Sequence, residues 1–274
     1  MKKILLAFDG TNFSVGAFEF ARKMNEVSPI LLTGIFLPQA EYANLWNYGD
    51  AMVGPLLIPV IESSEEEKME KNKARFRKLC QDEGIDYRVH EDSFDFALPE
   101  LKKETRFADL LIIGSESFYE NMGIREPNEY LEDGLHGVEC PVLVVPEKFD
   151  YPVTNVLSYD GSESSVYAIK QFTYLFPEMS ENPTLLVYAN KKTDSEIPEE
   201  VNMEELAARH FSDLTVTKID SSSAKYFGAW ISEKKSAILV SGSFGRSVFS
   251  RIFRKSFISD VIRDHKLPVF IAHR

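Results

Sequence analysis

Short runs of apolar residues alternate along the chain with longer segments whose apolar positions recur at helical spacing. This alternation is typical of a parallel sheet whose strands are buried on both faces by helices. In the first half it predicts strands at 3–8, 30–36, 86–91, 109–113 and 141–145, and helices at 12–26, 62–83, 97–106 and 127–137. In the second half it predicts strands at 153–158, 184–189, 214–219, 237–241 and 268–272, and helices at 162–176, 199–210, 223–234 and 255–265.

The same order of apolar runs, polar turns and glycines occurs twice. An apolar strand followed by Asp-Gly and a hydroxyl residue occurs at 4–11 and again at 156–162, the segment 108–115 is matched by 236–243, and 140–145 is matched by 267–272. Three matches in one order indicate an internal duplication. We therefore predict two domains, 1–148 and 149–274, each an α/β fold with a doubly wound, five-stranded parallel sheet.

Composition narrows the class of protein. The chain has 274 residues, of which 44% are hydrophobic and 27% charged, enough to build two cores. The first apolar run meets Asp9 too soon for a signal peptide or a membrane span, and there are only two cysteines, so we expect a cytoplasmic protein that does not enter a membrane. A net charge of -12 argues against general nucleic-acid binding, because a duplex would repel most of such a surface.

One stretch reverses this acidic balance. The apolar run 237–240 is followed by Gly242-Ser243-Phe244-Gly245, and nine residues separate Gly245 from Lys255-Ser256. Backbone N–H groups in a glycine-rich loop, together with arginine side chains, suit phosphate oxygens. The stretch therefore predicts an anion site, with a nucleotide phosphate as the obvious ligand. The arginines set among these residues are Arg246, Arg251 and Arg254.

These motifs resemble the universal stress protein family, and the resemblance covers nearly the whole chain, twice. It is carried by the Asp-Gly-hydroxyl turn, the Gly-x-x-Gly loop and the final Cys-Pro-Val-Leu-Val-Val strand. It implies an adenine nucleotide α-hydrolase-like fold that holds ATP between the loops after strands one and four. Nucleotide-binding members carry Gly-x-x-Gly, nine residues, and then Gly-Ser or Gly-Thr, a spacing that Gly242, Gly245 and Ser256 match.

Lys255 departs from the family, which has its last glycine there. A side chain at this position either crowds the phosphate or adds an ammonium group to the anion site, and the sequence leaves both readings open. The first half departs further, because its loop lacks the second glycine and Pro127-Asn128-Glu129 replaces the final Gly-Ser. Two like charges about 4 Å apart repel by about 4 kcal/mol at an effective dielectric near 20, so we expect no ATP there. The acidic residues of this region are Glu116, Glu120, Glu126, Glu129, Glu132 and Asp133.

Ligands of doubly wound sheets lie beyond the carboxyl ends of the strands. We therefore expect adenine and ribose near Asp160, Gly161, Tyr188 and Ala189, and the phosphates on Gly242, Ser243, Gly245, Arg246, Lys255 and Ser256. Magnesium, if required, would be held through the phosphates, because no carboxylate cluster suggests a protein cage. The alternative for Asp160 is a turn-forming or capping role. Thr11 and Ser162 are predicted as helix N-caps.

Three functions are compatible with this pattern. In the first, a stress-response protein binds ATP or a related adenine nucleotide in the second domain, while the first domain serves association or another ligand. In the second, both sites have decayed and the chain is a nucleotide-independent scaffold. In the third, the chain is a nucleotide-activating ligase, but the paired glycines and the His-x-Gly-His motif of that class are missing. The resemblance supports slow ATP hydrolysis at most.

No catalytic or metal-binding residue is assigned. The five histidines are scattered without the spacing of a metal site, and Cys140 is interpreted as a small core residue. The resemblance further implies that the last strands of the two domains, 140–145 and 267–272, pair within the chain as a pseudo-dimer, and it leaves open whether whole chains form a homodimer. An aromatic insertion at 42–59 is expected to cover the sheet edge, to meet the other domain or to form an apolar lid.

Overall fold

The structure is a computed structural model that describes residues 1–8, 11–37, 41–45, 56–60, 63–90, 97–116, 138–190, 196–220, 236–242 and 267–272. Its strands in the first half are β1 Lys2–Phe8, β2 Ile30–Phe36, β3 Glu41–Leu45, β4 Leu56–Val60, β5 Asp86–His90, β6 Leu110–Gly114 and β7 Val142–Val145. Those in the second half are β8 Thr154–Tyr159, β9 Thr184–Asn190, β10 Leu214–Asp220, β11 Ala237–Gly242 and β12 Val269–Ala272. The described helices are α1 Val15–Val27, α2 Ser63–Asp82, α3 Ala97–Thr105, α4 Glu163–Leu175 and α5 Glu200–His210, with a 3-10 helix at Pro177–Glu181.

The ten-stranded sheet has the order β10-β9-β8-β11-β12-β7-β6-β1-β2-β5. Neighbouring strands are parallel within each half, and both halves have the same order of strands. At the middle, β12 and β7 pair in antiparallel register, with Phe270 opposite Leu143. The predicted fold class is therefore confirmed, and the two five-stranded sheets join edge to edge through their last strands, as expected for a pseudo-dimer.

The described elements follow the predicted ones closely, with a few differences. Helix α1 begins at Val15 rather than at residue 12. The strands β3 and β4 form an antiparallel hairpin inside the aromatic insertion, where no strand was predicted. The helices predicted at 127–137, 223–234 and 255–265 lie outside the described residues, and the domain boundary at 148 stays a prediction. None of the helices that the structure describes is long and apolar enough to cross a membrane.

Two apolar layers cover the two faces of the sheet. Successive strand residues point to opposite faces, so Ile4 and Leu6 lie in one layer while Leu5 and Ala7 lie in the other. Burial on both faces explains why these strands read as continuous apolar runs. Each layer contains strand residues from both halves, so the sheet has one core on each face rather than four separate ones.

Helices α1 and α4 meet over the junction of the two halves. The ring of Phe20 on α1 lies 6.1 Å from that of Phe176, just after α4, and Phe176 lies 5.9 Å from Phe270 of β12. The Lys2 ammonium of β1 donates a hydrogen bond to the Leu175 carbonyl at the end of α4. Burying each of the three rings of Phe20, Phe176 and Phe270 contributes about 1.5–3 kcal/mol to folding. Because these rings come from both halves, the junction couples the stability of the two halves.

Candidate functional site

Three neighbouring strands of the second half bring their carboxyl ends to one edge of the sheet. Strand β8 lies between β9 and β11, with Tyr159 opposite Tyr188 and Ser158 opposite Ser241. The structure thus places five predicted site residues at this edge, namely Asp160, Gly161, Tyr188, Ala189 and Gly242. The other five lie outside the described residues, and their role stays a prediction. They are Ser243, Gly245, Arg246, Lys255 and Ser256.

Asp160 organises the turn between β8 and α4. Its carboxylate is exposed and accepts hydrogen bonds from the Ser162 backbone N–H, at 3.0 Å, and from the Ser162 hydroxyl. The Ser162 hydroxyl oxygen accepts in turn from the Ser165 N–H at 3.2 Å, which confirms Ser162 as the N-cap of α4. Asp160 therefore has the turn-forming role that was the alternative for it, and ligand binding by its exposed carboxylate stays a prediction.

The prediction for Thr11 was wrong. The N-cap of α1 is Ser14, whose hydroxyl oxygen accepts from the Ala17 N–H at 3.2 Å. Residues 11–13 are not helical, and Phe13 instead stacks on Phe8 with ring centroids 4.6 Å apart. A local Asp-Gly-hydroxyl pattern favoured the earlier start, whereas packing of an aromatic ring on the strand end decided the later one.

At two positions on this edge of the second half, neighbouring atoms lie too close to leave room for a side chain. A side chain at Gly242 would bring its Cβ within 2.5 Å of the Ser165 nitrogen in the first turn of α4. Gly161 has φ of +79°, and a Cβ there would lie 2.8 Å from the Pro198 ring. The strand ends and the start of α4 are therefore in direct backbone contact.

Tyr159 is a residue of this edge that sequence reasoning missed. It is 2% exposed and donates its phenolic hydrogen to the Pro198 carbonyl at 2.7 Å, while its ring lies 6.4 Å from that of Tyr188. Burial, and then the negative charges of Glu199 and Asp160, raise the pKa of Tyr159 above its usual value, so the phenol stays a donor. The signal in the sequence was the repeat itself, in which Tyr159 corresponds to Phe8.

The matching edge of the first half is filled by its own aromatic side chains. Phe8 stacks on Phe36 at 4.8 Å as well as on Phe13, and the Arg75 guanidinium lies 4.4 Å above the Phe13 ring. Glu116, one of the acidic residues predicted to repel a triphosphate, lies at the end of β6 and accepts from a backbone N–H at 3.2 Å. This edge presents aromatic and acidic groups.

The described residues hold no reactive thiol. Cys140 is 8% exposed, and burial, helped by the Asp109 charge, raises its pKa to about 12, which confirms its interpretation as a core residue. Burial likewise raises the pKa of Cys80 to about 12. Within the described ranges, no group of three or more His, Cys, Asp or Glu residues could hold a metal ion.

The solved structures that this chain resembles include universal stress proteins. One from Archaeoglobus fulgidus is 18% identical, with a TM-score of 0.67 over 100% of this chain and 96% of that one. A putative universal stress protein from Pseudomonas aeruginosa is 13% identical, with a TM-score of 0.53 over 100% and 93%. A functionally unknown protein from Pseudomonas aeruginosa is 12% identical, with a TM-score of 0.55 over 100% and 92%.

No family model matches the sequence, and no curated protein matches it. The class of protein is therefore defined by the fold. Over its whole length the chain has the fold of the universal stress proteins.

Proposed function

We propose that this is a stress-response protein whose second half binds an adenine nucleotide, foremost ATP, and whose first half serves association. The observation that carries the proposal is the meeting of Tyr159, Asp160, Gly161, Tyr188 and Gly242 at one sheet edge in the universal stress protein fold. In such sheets the crevice beyond the strand ends is the usual place for a ligand.

The charges at this edge suit a nucleotide in one orientation. The exposed carboxylate of Asp160 can accept hydrogen bonds from ribose hydroxyls, whereas it would repel phosphates. The phosphates therefore belong on the other side of the edge, beyond Gly242, where the sequence carries Gly245, Arg246 and Ser256. Magnesium would be held through the phosphates. Magnesium and the Arg246 guanidinium would together neutralise the negative charge of the bound ATP.

The first experiment is thermal unfolding with and without millimolar ATP and magnesium. A ligand at a hundred times its Kd stabilises by about 2.7 kcal/mol, which corresponds to a rise of roughly 5–10 °C. We expect this rise in the wild type and its loss in Gly245→Glu. The matched control is Ser117→Glu, which places the same residue at the corresponding position of the first half and should keep the rise.

The outcomes separate the candidate functions. A rise in the wild type and in Ser117→Glu, absent in Gly245→Glu, would support the nucleotide site in the second half. An equal rise in all three proteins would mean that ATP binds elsewhere on the chain. No rise in the wild type would overturn the proposal in favour of a nucleotide-independent scaffold.

The contribution of Arg246 can be measured separately by calorimetric titration with ATP. Loss of a charge-assisted hydrogen bond in Arg246→Glu should weaken binding by about 1.5–3 kcal/mol, or roughly 10- to 150-fold. The control is Arg106→Glu, which changes the charge equally but alters an exposed ion pair with Glu139. Unchanged affinity in Arg246→Glu would remove this residue from the site.

A further inference from the structure

The start of α1 holds a carboxylate that comes from a distant part of the first half. Oε2 of Glu147, two residues beyond β7, accepts hydrogen bonds from the backbone N–H of Val15, at 2.9 Å, and from that of Gly16, at 3.2 Å. These are first-turn N–H groups with no partner inside the helix. A carboxylate suits them because the helix dipole is positive at this end.

Two glycines make room for this approach. A Cβ on Gly16 would lie 2.0 Å from the Pro146 carbonyl oxygen and 2.8 Å from Cα of Glu147. A Cβ on Gly114, at the end of β6, would lie 3.5 Å from Oε1 of Glu147 and 2.5 Å from the Ser14 hydroxyl. A larger residue at Gly16 would push the Pro146-Glu147 backbone away from the helix, and one at Gly114 would collide with the Ser14 side chain.

The carboxylate is itself held in place. The Glu147 backbone N–H donates to the Glu116 carboxylate at 3.2 Å, which fixes the chain where it leaves β7. Oε1 of Glu147 is buried over Gly114 and has no hydrogen-bond partner among the described residues. Burial of an oxygen without a partner carries a cost, so the bonds through Oε2 must outweigh it.

The second half lacks this arrangement. Val145 pairs with Gly114 as Ala272 pairs with Gly242, so the position of Glu147 corresponds in sequence to Arg274, which lies outside the described residues. Ile4 pairs with Leu110 as Asn155 pairs with Ile238, so Gly16 corresponds to Tyr167. At these corresponding positions the second half carries neither the carboxylate nor the glycine, and α4 is capped locally by Ser162.

We propose that Glu147 is a built-in anionic ligand of the first half. It holds the N–H groups of Val15 and Gly16 where an external anion would otherwise bind, and the Phe13 ring covers the neighbouring strand end. In the described part of the first half, its own side chains thus occupy the start of α1 and the end of β1. This inference stands on the first half alone and does not depend on nucleotide binding in the second.

Chemical rescue tests the proposal on the whole chain. Glu147→Ala should lower the melting temperature by about 2–4 °C, the shift expected when a helix cap is lost. Sodium formate at high concentration should restore at least half of this loss, measured against sodium chloride of equal strength. The control is Glu139→Ala, which removes a carboxylate at the other end of β7 whose partner is the exposed Arg106, and which formate should not rescue.

Amide exchange provides a second measurement that does not depend on the melting temperature. The Val15 and Gly16 amides should exchange at least tenfold faster in Glu147→Ala than in the wild type, and formate should slow them again. In Glu147→Gln, whose amide oxygen can still accept, exchange should be intermediate and formate should have less effect. The proposal is overturned if Glu147→Ala has the melting temperature of the wild type, or if formate raises the melting temperatures of Glu147→Ala and Glu139→Ala equally. It is also overturned if the Val15 and Gly16 amides of Glu147→Ala stay as protected as in the wild type.

Discussion

The two halves have the same order of strands but differ at the strand ends. In the first half, α1 begins at Val15 and its first N–H groups are bound by Glu147, which lies 132 positions away. In the second half, α4 begins directly after Ser162, which caps it together with Asp160. One topology thus accepts either a long-range or a local cap at the start of the helix.

The two halves also differ in the pair of aromatic residues at the ends of their first two strands. Phe8 and Phe36 stack closely, and Phe13 adds a third ring, whereas the corresponding Tyr159 and Tyr188 carry hydroxyl groups and lie further apart. Both pairs are buried, so the difference is chemical: the first pair is wholly apolar, whereas the second places the Tyr159 hydroxyl on the Pro198 carbonyl.

The largest effect should come from the junction that both halves share. Phe270→Ala removes a fully buried ring that contacts Phe172 and Phe176, and should lower the free energy of unfolding by about 3–5 kcal/mol. Urea unfolding measures this loss. The control is Phe107→Ala, because that ring is 67% exposed and should cost less than about 1 kcal/mol. Equal losses in the two variants would contradict a shared core.

The next largest loss of stability is expected from a substitution at the start of α1. Gly16→Ala should cost about 3 kcal/mol, because its Cβ would collide with the Pro146 carbonyl and displace the Glu147 cap. Gly84→Ala is the control, since nothing lies within 4 Å of its Cβ and only the positive φ of +63° opposes it, at about 1–2 kcal/mol. Urea unfolding of both variants measures the difference. A Gly16→Ala protein as stable as Gly84→Ala would argue against the close approach.

The caps themselves should have smaller effects. Ser162→Ala should cost about 1 kcal/mol, because the Ser165 N–H loses its acceptor. Ser14→Ala should cost no more than this, because Glu147 still holds Val15 and Gly16 at the start of α1. Thermal unfolding of the two variants compares the helix starts directly. A clearly larger loss in Ser14→Ala would mean that Glu147 contributes little to the start of α1.

The smallest effect is expected from the thiols near neutral pH. Cys80 in the first half and Cys140 near the junction both have a pKa of about 12, so at pH 8 neither should react with a thiol reagent unless the protein is unfolded by urea. Unfolding returns each pKa to about 8.5, so the contribution of these thiols to stability is present below about pH 8.5 and is lost as the pH rises toward 12. Both thiols belong to the first half, so rapid reaction of one alone would show that its own surroundings open locally.

Much of the fold could be read from the sequence because local patterns encode it. Apolar runs such as 110–113 and 237–240 have to be buried on two faces, which predicted the parallel strands of β6 and β11 almost residue by residue. The pairing of β7 with β12 was implied by the resemblance to the universal stress proteins. For the candidate site, the positions of Asp160 and Gly242 at the strand ends could be predicted because an Asp-Gly turn and a strand-ending glycine are local signals, while their role in binding stays a prediction.

Tertiary contacts decided what no local pattern could show. Only the folded chain brings Glu147 to Gly16 and Pro198 to Tyr159, because partners this far apart in sequence leave no periodic trace. The late start of α1 has the same origin, since the packing of Phe13 on Phe8 overrode the local pattern that predicted an earlier start. The sequence by itself determined two similar sheets, and the packing of a few side chains decided that their edges differ.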